Sequence, residues 1–431
     1  MSRAGLQHLR EGQVLTGVAL TRAEAVALTG TRLVTATPQG DGWRVTAGHR
    51  VGAVRCGDLD VRVAPKVGPV HVLRLLARAH GVRGFTLDPN RIALAGDADV
   101  STVLAVLFEY EASAAITQRP TRGYRTEDQS LPVVRGRIRL VDQALRRFGQ
   151  VSPIEVTVDE WTLDTDENRR ILAATHVLLA LPGVPAPVRA GLQRLDRLLT
   201  EVHLPPRGTR LPPWKPTRLN THLHQLLHLA DLALGGASVE HRAGDVVAHG
   251  FVINMAWVFE TLIARLLTEH CRRTGSGRLL AQHTLPLDAA GNLTIRPDLV
   301  ITTGTTYLAV ADTKYKLLDE HTSLPNPDAY QMLAYCTRLD LPVGHLIYAS
   351  PQRRARLGPH TLTGSGVSLL IHHVDLRQEL TAIEAQVDTI LTRMLHDQAP
   401  VPTAPRRMPG APDGAFGEDG PQVHVFVPQM R

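Results

Sequence analysis

Two aspartates and one lysine carry the chemistry legible in this chain. Asp298 stands in Arg296-Pro297-Asp298, while Asp312 and Lys314 stand in Asp312-Thr313-Lys314. Each motif lies in or beside a short, alternating apolar run, and residues 302–305, with Gly304, read as the turn between two strands. A turn centred on Gly304 sets Asp298 opposite Val310, one diagonal step from Asp312. Side-chain alternation then puts both carboxylates on one face, with Lys314 on the same face two residues on. Two acids and an ammonium converging at a hairpin end are unfavourable unless a cation sits between the acids. The spacing therefore points to a metal site of the kind that hydrolyses phosphodiesters.

Lysine usage sharpens this expectation. Of 47 Lys and Arg, only Lys66, Lys215, Lys314 and Lys316 are lysine, and two of the four fall within three residues. Arg does not replace a compact ammonium at a catalytic position. Other residues of catalytic type are less sharply marked. Glu260 lies mid-helix among Ala256, Ile263, Ala264 and Leu267, so it is expected to face the core. Gln331 and Tyr335 are spaced to share one helix face. His224 and His228 have the spacing of a zinc pair, but their helix already has a leucine-rich buried side and no acidic base accompanies them. The expectation is that they hold no metal.

The elements that must position these residues follow from patterning. With 431 residues the chain has room for two or three cores. Residues 1–97 read as a small β-rich domain, residues 98–245 as a helical middle region, and residues 246–396 as an α-β-β-β-α-β unit closed by an amphipathic helix. In the middle region Asp164, with Glu167, is expected to cap a helix. From Pro400 onward, seven prolines and four glycines predict a disordered tail, residues 397–431. Residues 119–147 carry eight arginines, which suit DNA phosphate, a protein partner or plain solvation. The formal charge of +6 permits a polyanionic partner. Cys56, Cys271 and Cys336 lie far apart, which argues for a reducing compartment and against a cysteine-ligated cluster. No apolar run approaches membrane-spanning length, so a cytoplasmic protein without membrane contact is expected.

The element order with P-D…D-x-K on the second and third strands resembles the PD-(D/E)XK nuclease superfamily. Glu260 on the first helix and Gln331 with Tyr335 on the later one fit features of that superfamily and of its RecB-like branch. Residues 251–260, Asp312-Thr313-Lys314-Tyr315-Lys316 and residues 328–335 together resemble the McrC family, as do Arg135-Gly136-Arg137-Ile138, residues 166–172 and Val63-Ala64-Pro65-Lys66. The resemblance covers nearly all of residues 1–396. It implies an α/β chain with a restriction-endonuclease-like core: the nuclease subunit of a modification-dependent restriction system, used in antiviral defence. Implied partners are a McrB-like AAA+ ring that hydrolyses GTP, double-stranded DNA carrying a methylated base, and a second nuclease subunit for double-strand cleavage. The N-terminal part would engage the ring; the chain has no G-x-x-x-x-G-K-[ST] loop of its own. The implied site is Mg²⁺, with Mn²⁺ as substitute, held by Asp298, Asp312 and the Thr313 carbonyl, with Glu260 helping through water. Lys314 would act on the attacking water, and Lys316 would contact the DNA backbone. Two alternatives stay open here: a non-catalytic adaptor of an AAA+ partner, and a free-standing RecB-like nuclease.

Overall fold

A computed structural model describes residues 3–82, 99–116, 122–206, 209, 211–235, 237–316, 324–349 and 359–396. The expected tail, 397–431, lies outside the described residues.

The N-terminal part is built on two sheets. Strands β2 (Val14–Val18), β3 (Val34–Gln39) and β4 (Gly42–Ala47) form an antiparallel sheet ordered β2-β4-β3. Between β2 and β3, helix α1 (Arg22–Gly30) starts in a capping box, with Thr21 Oγ1 accepting from Glu24 N and Glu24 Oε2 accepting from Thr21 N. The second sheet is ordered β1-β6-β5-β11-β10, from β1 (Leu9–Arg10), β5 (Arg50–Cys56), β6 (Leu59–Ala64), β10 (Ala237–Ala243) and β11 (Val246–Asn254). The domain boundary expected at residue 246 therefore falls at the start of a strand hydrogen-bonded to β5, with Phe251 opposite Ala53. Gly52 makes the close approach feasible, because its φ is +134° and a Cβ there would collide with the Phe251 carbonyl.

The middle of the chain supplies helices α2 (Pro69–Ala79), α3 (Val100–Ile116), α5 (Asp166–Leu179), α6 (Ala186–Leu198) and α7 (His224–Gly235). The cap of α5 is Thr165, whose hydroxyl accepts from Asn168 N, and not the expected Asp164. Asp164 is engaged instead by Arg125 and Arg169. A three-stranded sheet ordered β7-β9-β8, of β7 (Gly123–Leu131), β8 (Arg137–Ile138) and β9 (Ile154–Thr162), stands off this layer with helix α4 (Leu140–Arg147). No residue of α4 is buried.

Helix α8 (Met255–Thr274) links the two halves. Asn254 starts it, its side chain accepting from Ala256 N, so residues expected at the helix start, 252–254, end β11 instead. A six-stranded mixed sheet follows, ordered β12-β15-β16-β17-β19-β18. Its strands are β12 (Arg278–Ala281), β15 (Leu299–Thr303), β16 (Thr306–Lys314), β17 (Val343–Ala349), β18 (His360–Thr361) and β19 (Ser368–Val374). Two outlying strands, β13 (Leu285–Pro286) and β14 (Thr294–Ile295), pair as a separate ribbon. The strands expected at 279–287 and 293–302 are thus each divided in two.

β12, β15 and β16 are antiparallel, whereas β16, β17 and β19 run parallel. The β16–β17 crossover is helix α9 (Asn326–Leu339). Alternation sorts the sheet's side chains. Val300, Val310, Leu346 and Tyr348 pack with Met332 and Cys336 of α9 on one face. Leu299, Ile301, Ala309, Ala311 and Ile347 pack on the other, with α8 and the last helix, α10 (Leu380–His396). α9 comes very close to the sheet at Gly344, where a Cβ would meet Met332 and Cys336. The whole is a mixed α+β chain with several sheets. Among the described residues no helix is long and apolar enough to cross a membrane.

Candidate active site

The β15–β16 hairpin sets the first two acids. Thr303 pairs with Thr306 and Thr302 with Tyr307, but Ile301 pairs with Ala309, leaving Leu308 as a bulge. Beyond the bulge Val300 faces Val310 and Leu299 faces Ala311. Continuing this register puts Asp298 across from Asp312; a turn centred on Gly304 would have put it across from Val310, and the two-residue turn and the bulge each move the pairing by one. Together they make the two carboxylates direct neighbours on the face that carries α9.

Asp312 is buried, and its Oδ2 accepts no well-directed hydrogen bond although Lys314 Nζ lies against it as an ion pair. Lys314 Nζ also donates to Gln331 Oε1 at 2.7 Å. Gln331 Nε2 donates to the Tyr335 hydroxyl at 2.7 Å, which donates to the Arg296 carbonyl at 3.3 Å. Gln331 and Tyr335 of α9 are therefore brought to Lys314 and back to the Pro297-Asp298 motif. The N–H and the hydroxyl of Thr313, the residue whose carbonyl is the expected ligand, both donate to Asp298 Oδ2 at 2.8 Å.

The third acid arrives from α8. Gln282 links Glu260 to Asp298. Gln282 Nε2 donates to Glu260 Oε1 and, at 2.8 Å, to Asp298 Oδ1, and its backbone N–H donates to the Asp298 carbonyl at 2.8 Å. It does so from a left-handed backbone, φ +53°, that only a few per cent of non-glycine residues adopt. Strain of this kind concentrates at functional sites. Nothing in the residue's type or its neighbours marked Gln282 in the sequence. Its partners lie 16 and 22 positions away, and only the fold joins them.

Burial dominates the electrostatics. Burial and then the Asp298 charge push the Glu260 carboxyl up to about 7. The same two causes push Asp312 up to about 6 against the opposing pull of Lys314. Burial and the Asp312 charge push the Tyr335 hydroxyl up to about 12, so it stays a donor. Among the described residues no three His, Cys, Asp or Glu side chains already surround one point. The donor set nevertheless fits a hard divalent cation. It is all oxygen, it carries an excess of negative charge at short range, and buried Asp312 Oδ2 has the Lys314 ammonium beside it but no well-directed hydrogen bond.

Lys316 is ion-paired in this arrangement. Its Nζ donates to Asp328 Oδ1 at 2.9 Å, and buried Tyr348 donates to Asp328 Oδ2 at 2.7 Å. That cluster ties the start of α9 to β17. Lys66 enters the structure through its backbone N–H, which donates to Glu11 Oε2 at 3.4 Å. His224 and His228 both pack on the Trp214 ring, centroids 5.2 and 4.9 Å away, and His224 bonds to Asn220. In the basic segment Arg139 pairs with Asp128 and Asp142, and Arg147 with Glu155. The same unit exposes large apolar side chains, among them Val133, Leu140, Val141, Leu145 and Phe148, the last 89% exposed.

The model of the McrBC 5-methylcytosine restriction system component matches residues 45–349, well over half of the chain. A chain in the refined half-complex of the tetradecameric assembly of Thermococcus gammatolerans McrB AAA+ hexamers with bound McrC is similar in fold. The TM-score is 0.56 at 16% identity, covering 91% of this chain and 99% of that one. The cryo-EM structure of the Thermococcus gammatolerans McrBC complex gives a weaker likeness, with TM-score 0.39 at 17% identity over 61% of this chain and 87% of that one. No curated protein matches. With its family motifs spread over the matched residues, the chain belongs to the family of McrBC 5-methylcytosine restriction system components.

Proposed function

We propose that this chain is the nuclease subunit of a McrBC-type system, a Mg²⁺-dependent endonuclease with a PD-(D/E)XK core that cuts double-stranded DNA carrying a methylated base. The observation that carries the reading is the convergence of Asp298, Asp312 and Lys314 at one end of the mixed sheet, completed by Gln331 and Tyr335 from the crossover helix. Asp298 and Asp312, with the Thr313 carbonyl, hold the cation, and Mn²⁺ substitutes for Mg²⁺ on the same oxygen donors. When bound there, the cation supplies positive charge to the scissile phosphate. Lys314 orients the attacking water and offsets charge developing on the phosphate. Gln331 keeps the ammonium in place and Tyr335 anchors Gln331 to the Arg296 carbonyl. Gln282 fixes Glu260 and Asp298 relative to each other, and Glu260 reaches the site through water.

The partner proposed is a McrB-like AAA+ GTPase ring, the assembly in which the similar fold occurs. Large exposed apolar side chains cluster in residues 124–161, whereas residues 3–82 expose only Val14 and Val26. Exposed apolar side chains of this number suit a protein contact, so the ring contact is assigned to the β7-β9-β8 unit and α4 more than to the N-terminal sheets. Two nuclease subunits acting together account for cutting both strands.

The test measures GTP turnover and DNA cleavage on the same reconstituted samples. Wild type should show both. Lys314→Ala should keep stimulated GTP turnover and lose cleavage. Loss of both in a folded variant, or of neither, overturns the assignment. An adaptor without nuclease activity would show stimulated turnover and no cleavage even as wild type.

A further inference from the structure

Tyr315 follows Lys314 directly, yet its side chain leaves β16 on the other side, among the core of α8 and the N-terminal sheet. Its hydroxyl donates to Glu11 Oε2 at 3.2 Å, a contact across 304 residues. Its ring meets His49 edge-on at 5.5 Å and lies 6.3 Å from Phe259, the residue before Glu260. Glu11 sits at the end of β1, where its N–H donates to the Ala64 carbonyl at 2.9 Å. Its side chain is fully buried. Oε1 accepts no hydrogen bond and lies 3.5 Å from His49 Nδ1. The His49 carbonyl in turn accepts from Met255 N, the first residue of the helix that carries Glu260, at 3.0 Å.

A carboxylate buried with one oxygen unsatisfied costs stability. Groups of this sort in a folded protein call for a functional account. Here the polar junction touches the neighbour of Lys314 and the neighbour of Glu260, and it joins both to the N-terminal sheet.

We propose that Glu11 and Tyr315 are positioning residues for the cleavage site: Glu11 holds the Tyr315 hydroxyl, so that the N-terminal sheet sets where β16 ends and where Lys314 points. The inference rests on the nuclease reading above. Neither residue touches phosphate or metal. Their contribution is the placement of a group that does.

The experiment uses the full chain with its AAA+ partner, Mg²⁺ and methylated duplex DNA. Tyr315→Phe and Glu11→Leu should each lower kcat for cleavage about tenfold, the effect of one hydrogen bond, with KM for DNA and GTP turnover unchanged. The double variant should be no slower than either single one, because both remove the same contact. Glu11→Gln keeps an acceptor and should cleave within about twofold of wild type. Glu11→Leu orphans the Tyr315 hydroxyl and the Lys66 N–H and should melt lower, whereas Tyr315→Phe should melt close to wild type, which separates positioning from damage. Should Glu11→Leu not fold, Tyr315→Phe with amide exchange of residues 312–316 reads the same point, and faster exchange there is the expected result. Wild-type kcat in Tyr315→Phe, or a double variant about a hundredfold slower, overturns the inference. Lys314→Ala on the same samples tells the two failures apart. If it is inactive while Tyr315→Phe is fully active, only the positioning role falls. If it cleaves normally, the nuclease reading falls with it.

Discussion

Asp312→Asn should stabilise the metal-free protein while abolishing its cleavage. Asp312 is only 2% exposed, and burial with the Asp298 charge pushes its carboxyl up to about 6. Its folded pKa is raised, so the folded state keeps this proton to higher pH than the unfolded chain, whose carboxyl titrates near 4. On this group's account stability is greatest below about pH 4 and falls as the pH rises towards 6, with the full penalty present above that. A rise of this size corresponds to about 3 kcal/mol at pH 8. Glu260, pushed up to about 7 partly by Asp312 itself, adds to the penalty in the same direction. The amide of Asn carries no charge, so in chelator at pH 8 the variant should melt higher than wild type, on the order of 5 °C. At pH 4 the difference should nearly vanish. Added Mg²⁺ should raise the wild-type midpoint and leave the variant's almost unchanged, because binding to the folded state alone supplies the stabilisation. Differential scanning fluorimetry at the two pH values, with and without Mg²⁺, reads all of this. A variant that melts below wild type at pH 8 in chelator, or one that Mg²⁺ stabilises as much as wild type, refutes the acid pair as a metal site.

Lys314→Arg should lose cleavage by orders of magnitude, as Lys314→Ala does, because a planar guanidinium does not sit as a compact charge against Asp312 and Gln331; single-turnover cleavage measures it. Gln282→Leu removes the donor shared by Glu260 and Asp298, and the bond to Glu260 is one that lowers its pKa. Glu260 should then hold its proton to higher pH, moving the alkaline rise of Mg²⁺-dependent cleavage upward, and an unmoved pH profile would count against Gln282. Phe148→Asp with Leu145→Asp, both on the exposed unit, should leave the melting temperature within about 1 °C and cut GTPase stimulation at least tenfold if that unit meets the ring. His345 and His372 are held neutral by burial, pushed down to about 3 and about 4, with Arg393 and His373 adding to the effect on His372. The unfolded chain therefore takes up these protons first, and stability should be full above about pH 6.5 and lost as the pH falls towards 4. Replacing both by Leu should flatten that loss in a pH series of melting curves.

The sequence by itself determined the parts of this protein that depend on local periodicity. Alternation along two adjacent strands put Asp298, Asp312 and Lys314 on one face, and helical spacing put Gln331 beside Tyr335. Both hold because strand and helix repeats are set within a few residues. The order of elements from α8 to β17 was legible for the same reason. Local pattern was weaker wherever a side chain had a choice of partners. It put the α5 cap one residue early, since Asp164 was taken by two arginines. A one-residue bulge at Leu308 carries no compositional mark, yet together with the two-residue turn it made Asp298 and Asp312 face each other directly. What only the tertiary structure decided are the contacts made across long stretches of chain. β11 pairs with β5 some two hundred residues away, Gln282 reaches both Glu260 and Asp298, and Glu11 meets Tyr315. Such pairings are chosen by which faces remain to be buried once every element has formed, and no window of neighbouring residues contains that information.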